Sequence, residues 1–191
     1  KAPNKTIDFP SDILTKTRMS NCLKNERIKK IRKELFDPFN PENIYLMSLI
    51  PWEKTNIIKE NTVDYIISHT VLQHIEKLSF TYTSMNRWLK TGGCISHKID
   101  FKSMNRTKLW NQYWTLSELE WKFVTGQSYL INREPLSVHL KHLEVNNFEI
   151  IYDIRNSSKN ELNRIHLDDN FKYLDDNDLT TSGYYYFAQL K

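Results

Sequence analysis

Apolar and polar residues follow two rhythms along this chain, and the switches between them mark its elements. Lys5-Thr-Ile-Asp-Phe9 is short and β-branched and stops at Pro10, so it reads as a strand end. From Asn21 to Leu35, Leu23, Ile28, Ile31 and Leu35 fall toward a core, while Lys24, Lys29, Lys30 and Lys33 fall toward water, which predicts a helix. Asp37-Pro-Phe-Asn-Pro-Glu42 breaks it, and Asn43-Ile-Tyr-Leu-Met47 predicts a second short strand. Val63-Asp-Tyr-Ile-Ile67 predicts a third, apolar on both faces at its centre, the pattern of a parallel strand covered by helices on each side.

A helix follows, with Leu78, Tyr82, Met85 and Leu89 at helical spacing, and it is expected to end at Lys90-Thr-Gly-Gly93. Cys94 to Phe101 predicts a fourth strand. The Trp-rich stretch from Leu109 to Phe123 contains a capping-box pattern, Ser117-x-x-Glu120. Pro135 opens a helix through Val145 with Leu136, Leu140 and Leu143 on one face, and Phe148–Ile154 and Tyr184–Leu190 predict the last two strands. Strand–helix alternation closed by a terminal strand pair implies a mostly parallel sheet in an α/β sandwich.

Composition narrows this picture slightly. The 191 residues suit a single domain, and 13% aromatic content marks a core-forming sequence. The net charge of +4 is spread over mixed charges and does not by itself point to nucleic acid. Cys22 and Cys94 lie far apart without CxxC spacing, which fits a reducing, cytoplasmic setting and suggests neither a zinc ribbon nor a disulfide scaffold. No apolar run approaches the length of a membrane span. Oligomeric state is open. The first residue is Lys, which reads as a processed or excised start.

The third strand runs directly into a polar knot, Ser68-His69-Thr70, with no glycine or proline to turn the chain. Asp64-Tyr-Ile-Ile-Ser-His-Thr-Val-Leu-Gln-His-Ile75, followed by Arg87-Trp-Leu-Lys-Thr-Gly-Gly93, resembles the fourth strand and following motif of class I S-adenosylmethionine-dependent methyltransferases. Thr91 stands where a proline is usual. Ile95-Ser-His-Lys-Ile-Asp-Phe101 and the stretch holding Asn132-Arg133 look like a subgroup of that family, with Ser103-Met104 where the subgroup tends to have Asp-His. The family's glycine-rich first loop has no counterpart, since no glycine precedes Gly92. The resemblance implies a three-layer, methyltransferase-like Rossmann fold with a C-terminal antiparallel strand and without its first βα unit. Residues 102–135 would form a lid on the substrate side.

The same resemblance implies S-adenosylmethionine as cofactor and a small-molecule or sugar-containing acceptor as partner. Asp8, beside Phe9, would hold the ribose hydroxyls, Ser48 or Leu49 would meet adenine, and Ser68 and His69 would face the sulfonium. His97, Asp100 and His69 are the candidates for proton transfer, a histidine near pKa 6.5 being a suitable general base. His97 and Asp100 should lie on opposite faces of their strand. His74, Asn132 and Arg133 are candidates for binding the substrate, although Arg133 can equally pin the Trp-rich lid to the core. Trp110, Trp114 and Trp121 read as packing. His139 and His142 have metal-like spacing but no third ligand, and read as solvated helix surface; no metal is expected. Two other readings stay open: an inactive, methyltransferase-like binding module, and a basic nucleic-acid binder.

Overall fold

The structure, a computed structural model, describes residues 14–48, 58–126 and 131–191; the strand expected at Lys5–Phe9 and the residues Asp8, Phe9 and Leu49 lie outside them. The chain separates into two compact units, Lys1–Ile57 and Ile58–Lys191.

In the first unit, the helix expected over Asn21–Leu35 is two helices, α1 (Lys16–Cys22) and α2 (Asn25–Glu34). Thr15 caps α1 by accepting the Arg18 N–H, and the chain leaves helical geometry at Lys24, with ψ 130°. Apolar spacing runs through such a break unchanged, so periodicity alone does not register it. The strand expected at Asn43–Met47 does not form. Instead the Glu34 carboxylate accepts the N–H groups of Ile44, Tyr45 and Leu46 at 3.2, 2.8 and 2.7 Å. One side chain thus satisfies donors that a ladder would otherwise use.

The second unit holds a four-stranded sheet in the order β1-β2-β4-β3. β1 spans Val63–His69, β2 Leu89–Asp100, β3 Phe148–Ser157 and β4 Thr181–Leu190. β1 pairs with β2 in parallel, and β4 runs antiparallel to both of its neighbours. Three strands therefore point one way and the C-terminal strand points against them. Between β1 and β2 lie a 3₁₀ turn at Leu72–His74 and helix α3 (Leu78–Trp88). After β2 come α4 (Glu118–Thr125) and α5 (Leu136–Val145), and α6 (Asp176–Thr180) precedes β4.

Lys90-Thr-Gly-Gly93, expected to close the helix, already belongs to β2. Gly92 takes φ +77°, and a Cβ on Gly93 would sit 2.8 Å from the Lys90 carbonyl oxygen, so this kinked entry needs both glycines. The register jumps there, from Val63 opposite Leu89 to Tyr65 opposite Cys94.

The main core joins Leu78, Tyr82 and Met85 of α3 and Leu136 and Leu143 of α5 to Ile95, Ile99, Tyr184, Tyr186 and Ala188 of the sheet. Each such fully buried aliphatic or aromatic side chain contributes roughly 1.5–3 kcal/mol. Val63 and Ile66 of β1 pack against this core, whereas Ile67 is 68% exposed. A second cluster gathers Tyr113, Trp114 and Trp121 with Ile131, Leu167, Phe171, Leu174 and Leu179. The tryptophans thus pack as expected, and α4 carries the full Ser117–Glu120 capping box. Among the described residues no helix is long and apolar enough to cross a membrane.

Candidate functional site

Ser68 and His69 do not turn the chain. Both continue β1, opposite His97 and Lys98 of β2, and Thr70 makes the turn by adopting φ 54°. Its N–H donates to the Lys98 carbonyl at 2.8 Å. Six non-glycine residues have left-handed backbone among those described; Thr70 follows β1, Met104 and Asn105 follow β2, and Arg133 follows Asn132 ahead of α5. Such conformations cost roughly 1–3 kcal/mol each and gather where the surroundings impose them for a purpose.

By strand alternation, Ser68 shares its sheet face with His97, and His69 lies on the other with Lys98. Ser68 Oγ is 2.6 Å from His97 Nδ1. The His97 ring tilts against Tyr186 at 5.4 Å, is 1% exposed, and burial pushes its pKa down to about 4. His97 is therefore neutral near pH 7. A general base must come within hydrogen-bond reach of the proton it takes, so His97 can act on a ligand only through Ser68. Asp100 ends β2 opposite Gly183, where its carboxylate accepts the Lys102 N–H at 3.0 Å, and it remains partly exposed. His69 is exposed at the strand end.

His74 sits half-buried on the 3₁₀ turn beyond β1, which packs against β2. It lines a pocket of about 350 Å³ together with Met104, Asn105, Arg106 and Ile131. Asn132 fastens this turn: its Nδ2 donates to the carbonyls of Leu72 and Ile75 at 2.7 and 2.8 Å, and its N–H to Gln73 at 2.8 Å. Its Oδ1 accepts the Glu134 N–H at 3.0 Å. Arg133, 2% exposed, donates to the carbonyls of Tyr113 and Leu116 at 3.0 and 2.6 Å and pairs with Glu118. Its guanidinium also lies over the rings of Trp121 and Phe171. Asn132 and Arg133 thus spend most of these polar groups on the protein itself. Both residues also line a second pocket of about 300 Å³, beside Glu76, Glu118 and Glu134.

Ser48 belongs to the first unit, where its N–H donates to the Pro38 carbonyl. The expectation that His139 is solvated is overturned. It is fully buried, with Nδ1 3.0 Å from the Tyr82 hydroxyl, which in turn lies 2.8 Å from the Tyr186 hydroxyl. His142 stacks on Tyr82 at 5.3 Å. Among the described residues no group of three or more His, Cys, Asp or Glu is placed to hold a metal ion. Arg106 and Asn105 escaped the sequence reading. The available signal was a run of cations from Lys102 to Lys108 without an intervening acid.

No protein-family model matches the sequence, and no curated protein matches it. By structure, the chain is similar to a SAM-dependent methyltransferase from Methanosarcina mazei, with TM-score 0.51 and 12% identity, covering 84% of this chain and 76% of that one. It is also similar to an S-adenosylmethionine dependent methyltransferase from Mesorhizobium loti, with TM-score 0.50 and 10% identity, covering 87% and 77%. Likeness at these identities establishes the fold, a methyltransferase-like Rossmann arrangement.

Proposed function

We propose that this chain transfers a methyl group from S-adenosylmethionine to a small-molecule or sugar-containing acceptor at the carboxyl end of β1 and β2. The observation that carries the reading is the hydrogen-bonded Ser68–His97 pair where these two parallel strands end. Ligands of open parallel sheets gather at that edge.

The residues fit the cofactor on its methyl side: Ser68 and His69 end one strand and Asp100 the next, giving polar walls without bulk. When bound, the cofactor supplies a methyl group already activated on a sulfonium, so the chain's task is mainly orientation. Neutral His97 can accept the Ser68 hydroxyl hydrogen, which turns the serine oxygen's remaining lone pairs toward the crevice. Asp100, or His69 at the strand end, would take a proton from the acceptor. Asn132 and Arg133 keep the turn and the Trp-rich segment in place around it.

A second reading is a methyltransferase-shaped binding module that does not use the cofactor. Calorimetric titration of S-adenosylhomocysteine into the 191-residue chain separates the two. Methyl transfer predicts saturable heat, with affinity reduced about threefold to tenfold by Ser68→Ala, the loss of one ordinary hydrogen bond. Absence of heat, or affinity indifferent to Ser68, sinks the first reading and leaves the second.

A further inference from the structure

We propose that the pocket beyond β1 and β2 takes an acidic small molecule, whose carboxylate or phosphate group is held by Arg106. Naming this ligand the methyl acceptor rests on the function proposed above; the anion site itself does not.

The first argument is charge. Between Asp100 and Glu118 the chain carries Lys102, Arg106 and Lys108 and no Asp or Glu. The second unit has five arginines. Arg87 pairs with Glu60, Arg133 with Glu118, Arg155 with Asp153 and Arg164 with Asp176. Among the described residues Arg106 alone of the five pairs with no carboxylate, and it is the one that lines this pocket. A planar guanidinium left unpaired at a concave site suits two-pronged binding of a carboxylate or phosphate.

The second argument is the backbone. Met104 and Asn105 both take left-handed conformations, with φ 50° and 61°, directly before Arg106. The loop is tied at its base, where the Ser103 N–H donates to the Trp110 carbonyl at 2.9 Å and the Arg106 N–H to the Ser103 carbonyl at 3.0 Å. Two consecutive non-glycine residues held this way fix where Arg106 begins. Opposite stand His74, a polar partner, and Ile131, an apolar wall.

Size and surroundings favour a small ligand over a polynucleotide. A pocket of about 350 Å³ matches a small molecule. A neighbouring pocket that shares Ile131 carries Glu76, Glu118 and Glu134 against Lys122 and the paired Arg133, so no continuous basic groove runs on from the site.

The test is calorimetric titration of inorganic phosphate and of malonate into the 191-residue chain at low salt, repeated with Arg106→Gln and with Arg155→Gln as a paired-arginine control. At least one anion should bind, Arg106→Gln should weaken it about tenfold or more, and Arg155→Gln should leave it unchanged. The tighter of the two anions tells phosphate from carboxylate. Arg106 is exposed, so its loss should leave the fold intact, which circular dichroism checks. No binding of either anion, equal binding to Arg106→Gln, or binding of heparin alone overturns the proposal. S-adenosylhomocysteine titrated into the same samples reads the methyl-transfer proposal separately, so phosphate or malonate binding without it upholds this site and overturns that function.

Discussion

The two hydrophobic clusters of the second unit each bury a nitrogen base, and they handle it in opposite ways. Under α3 and α5, His97 and His139 are buried without any acidic partner, and burial drives their pKa values down to about 4 and about 3. They stay neutral and are tied to hydroxyls, Ser68 for one and Tyr82 for the other. In the Trp-rich cluster Arg133 is equally buried but cannot shed its proton, so the surroundings are built to keep the charge. Two carbonyls, one carboxylate and two aromatic faces surround it. A titratable base can be buried by neutralising it; a permanent cation must be fully partnered.

The largest effect separating the two strategies should come from Arg133→Met. It removes the cation from a site shaped for it, leaving the Tyr113 and Leu116 carbonyls without this donor and a gap between Trp121 and Phe171. We expect a loss of about 3–5 kcal/mol in urea unfolding, from two buried carbonyls left without this donor together with the gap between the rings. Arg133→Lys should recover only part of it, because an ammonium cannot reach both carbonyls and the carboxylate in one plane. Full rescue by lysine would mean that charge alone, and not the planar fork, holds the cluster.

Acid should break the other cluster. A histidine whose folded pKa lies below its unfolded value of 6.5 is charged more readily when unfolded, so its contribution is fully present above pH 6.5 and is lost as pH falls toward the folded value. Between pH 7 and pH 5 each of His97 and His139 should cost about 2 kcal/mol. The check is urea unfolding across that range for the native chain and His139→Leu. The variant should lose about 2 kcal/mol less on acidification. Parallel pH profiles would show that His139 is not buried neutral.

Tyr82→Phe comes next. The Tyr82 hydroxyl meets both His139 and Tyr186, so its removal leaves two buried groups short of a partner, at about 1–2 kcal/mol. It should also flatten the packing contrast, since His142 stacks on the same ring and keeps that contact in phenylalanine. A neutral outcome would mean that the Tyr186 hydroxyl and His139 find each other directly once the tyrosine oxygen is gone.

These residues also show what the sequence could and could not reveal. Strands with alternating or all-apolar cores, the Ser117–Glu120 capping box and the helix opened by Pro135 were legible, because each is encoded within a few neighbouring residues. Ser68 at a strand end opposite His97 was legible in part, since a polar knot after an apolar strand marks an edge but not its partner across the sheet. His139 was not legible. Its spacing on α5 puts it on the apolar face with Leu136 and Leu143, but a histidine by type suggests water, and only the tyrosines of α3 and β4, distant in sequence, make burial tolerable. The same holds for the strand that failed to form at Asn43–Met47: nothing local announces that Glu34 will take its donors. Contacts between distant side chains, not local pattern, decided the cases that were missed.

The smallest expected effect sharpens the comparison most, because it asks which partner holds Arg133. The carboxylate of Glu118 is 62% exposed, whereas the arginine side chain is 1% exposed. A charge mostly in water contributes little even to a buried partner, since solvent screens it and the side chain gives up entropy to stay in place. The carbonyls of Tyr113 and Leu116 and the two rings are the buried partners, and they do not depend on Glu118 being ionised. Glu118→Gln should therefore cost less than about 1 kcal/mol, and the difference should shrink further in 1 M salt. A loss approaching that of Arg133→Met would place the burden on the ion pair. The cation would then be held by charge compensation, as an acid would hold a protonated histidine, and the two clusters would no longer differ in kind.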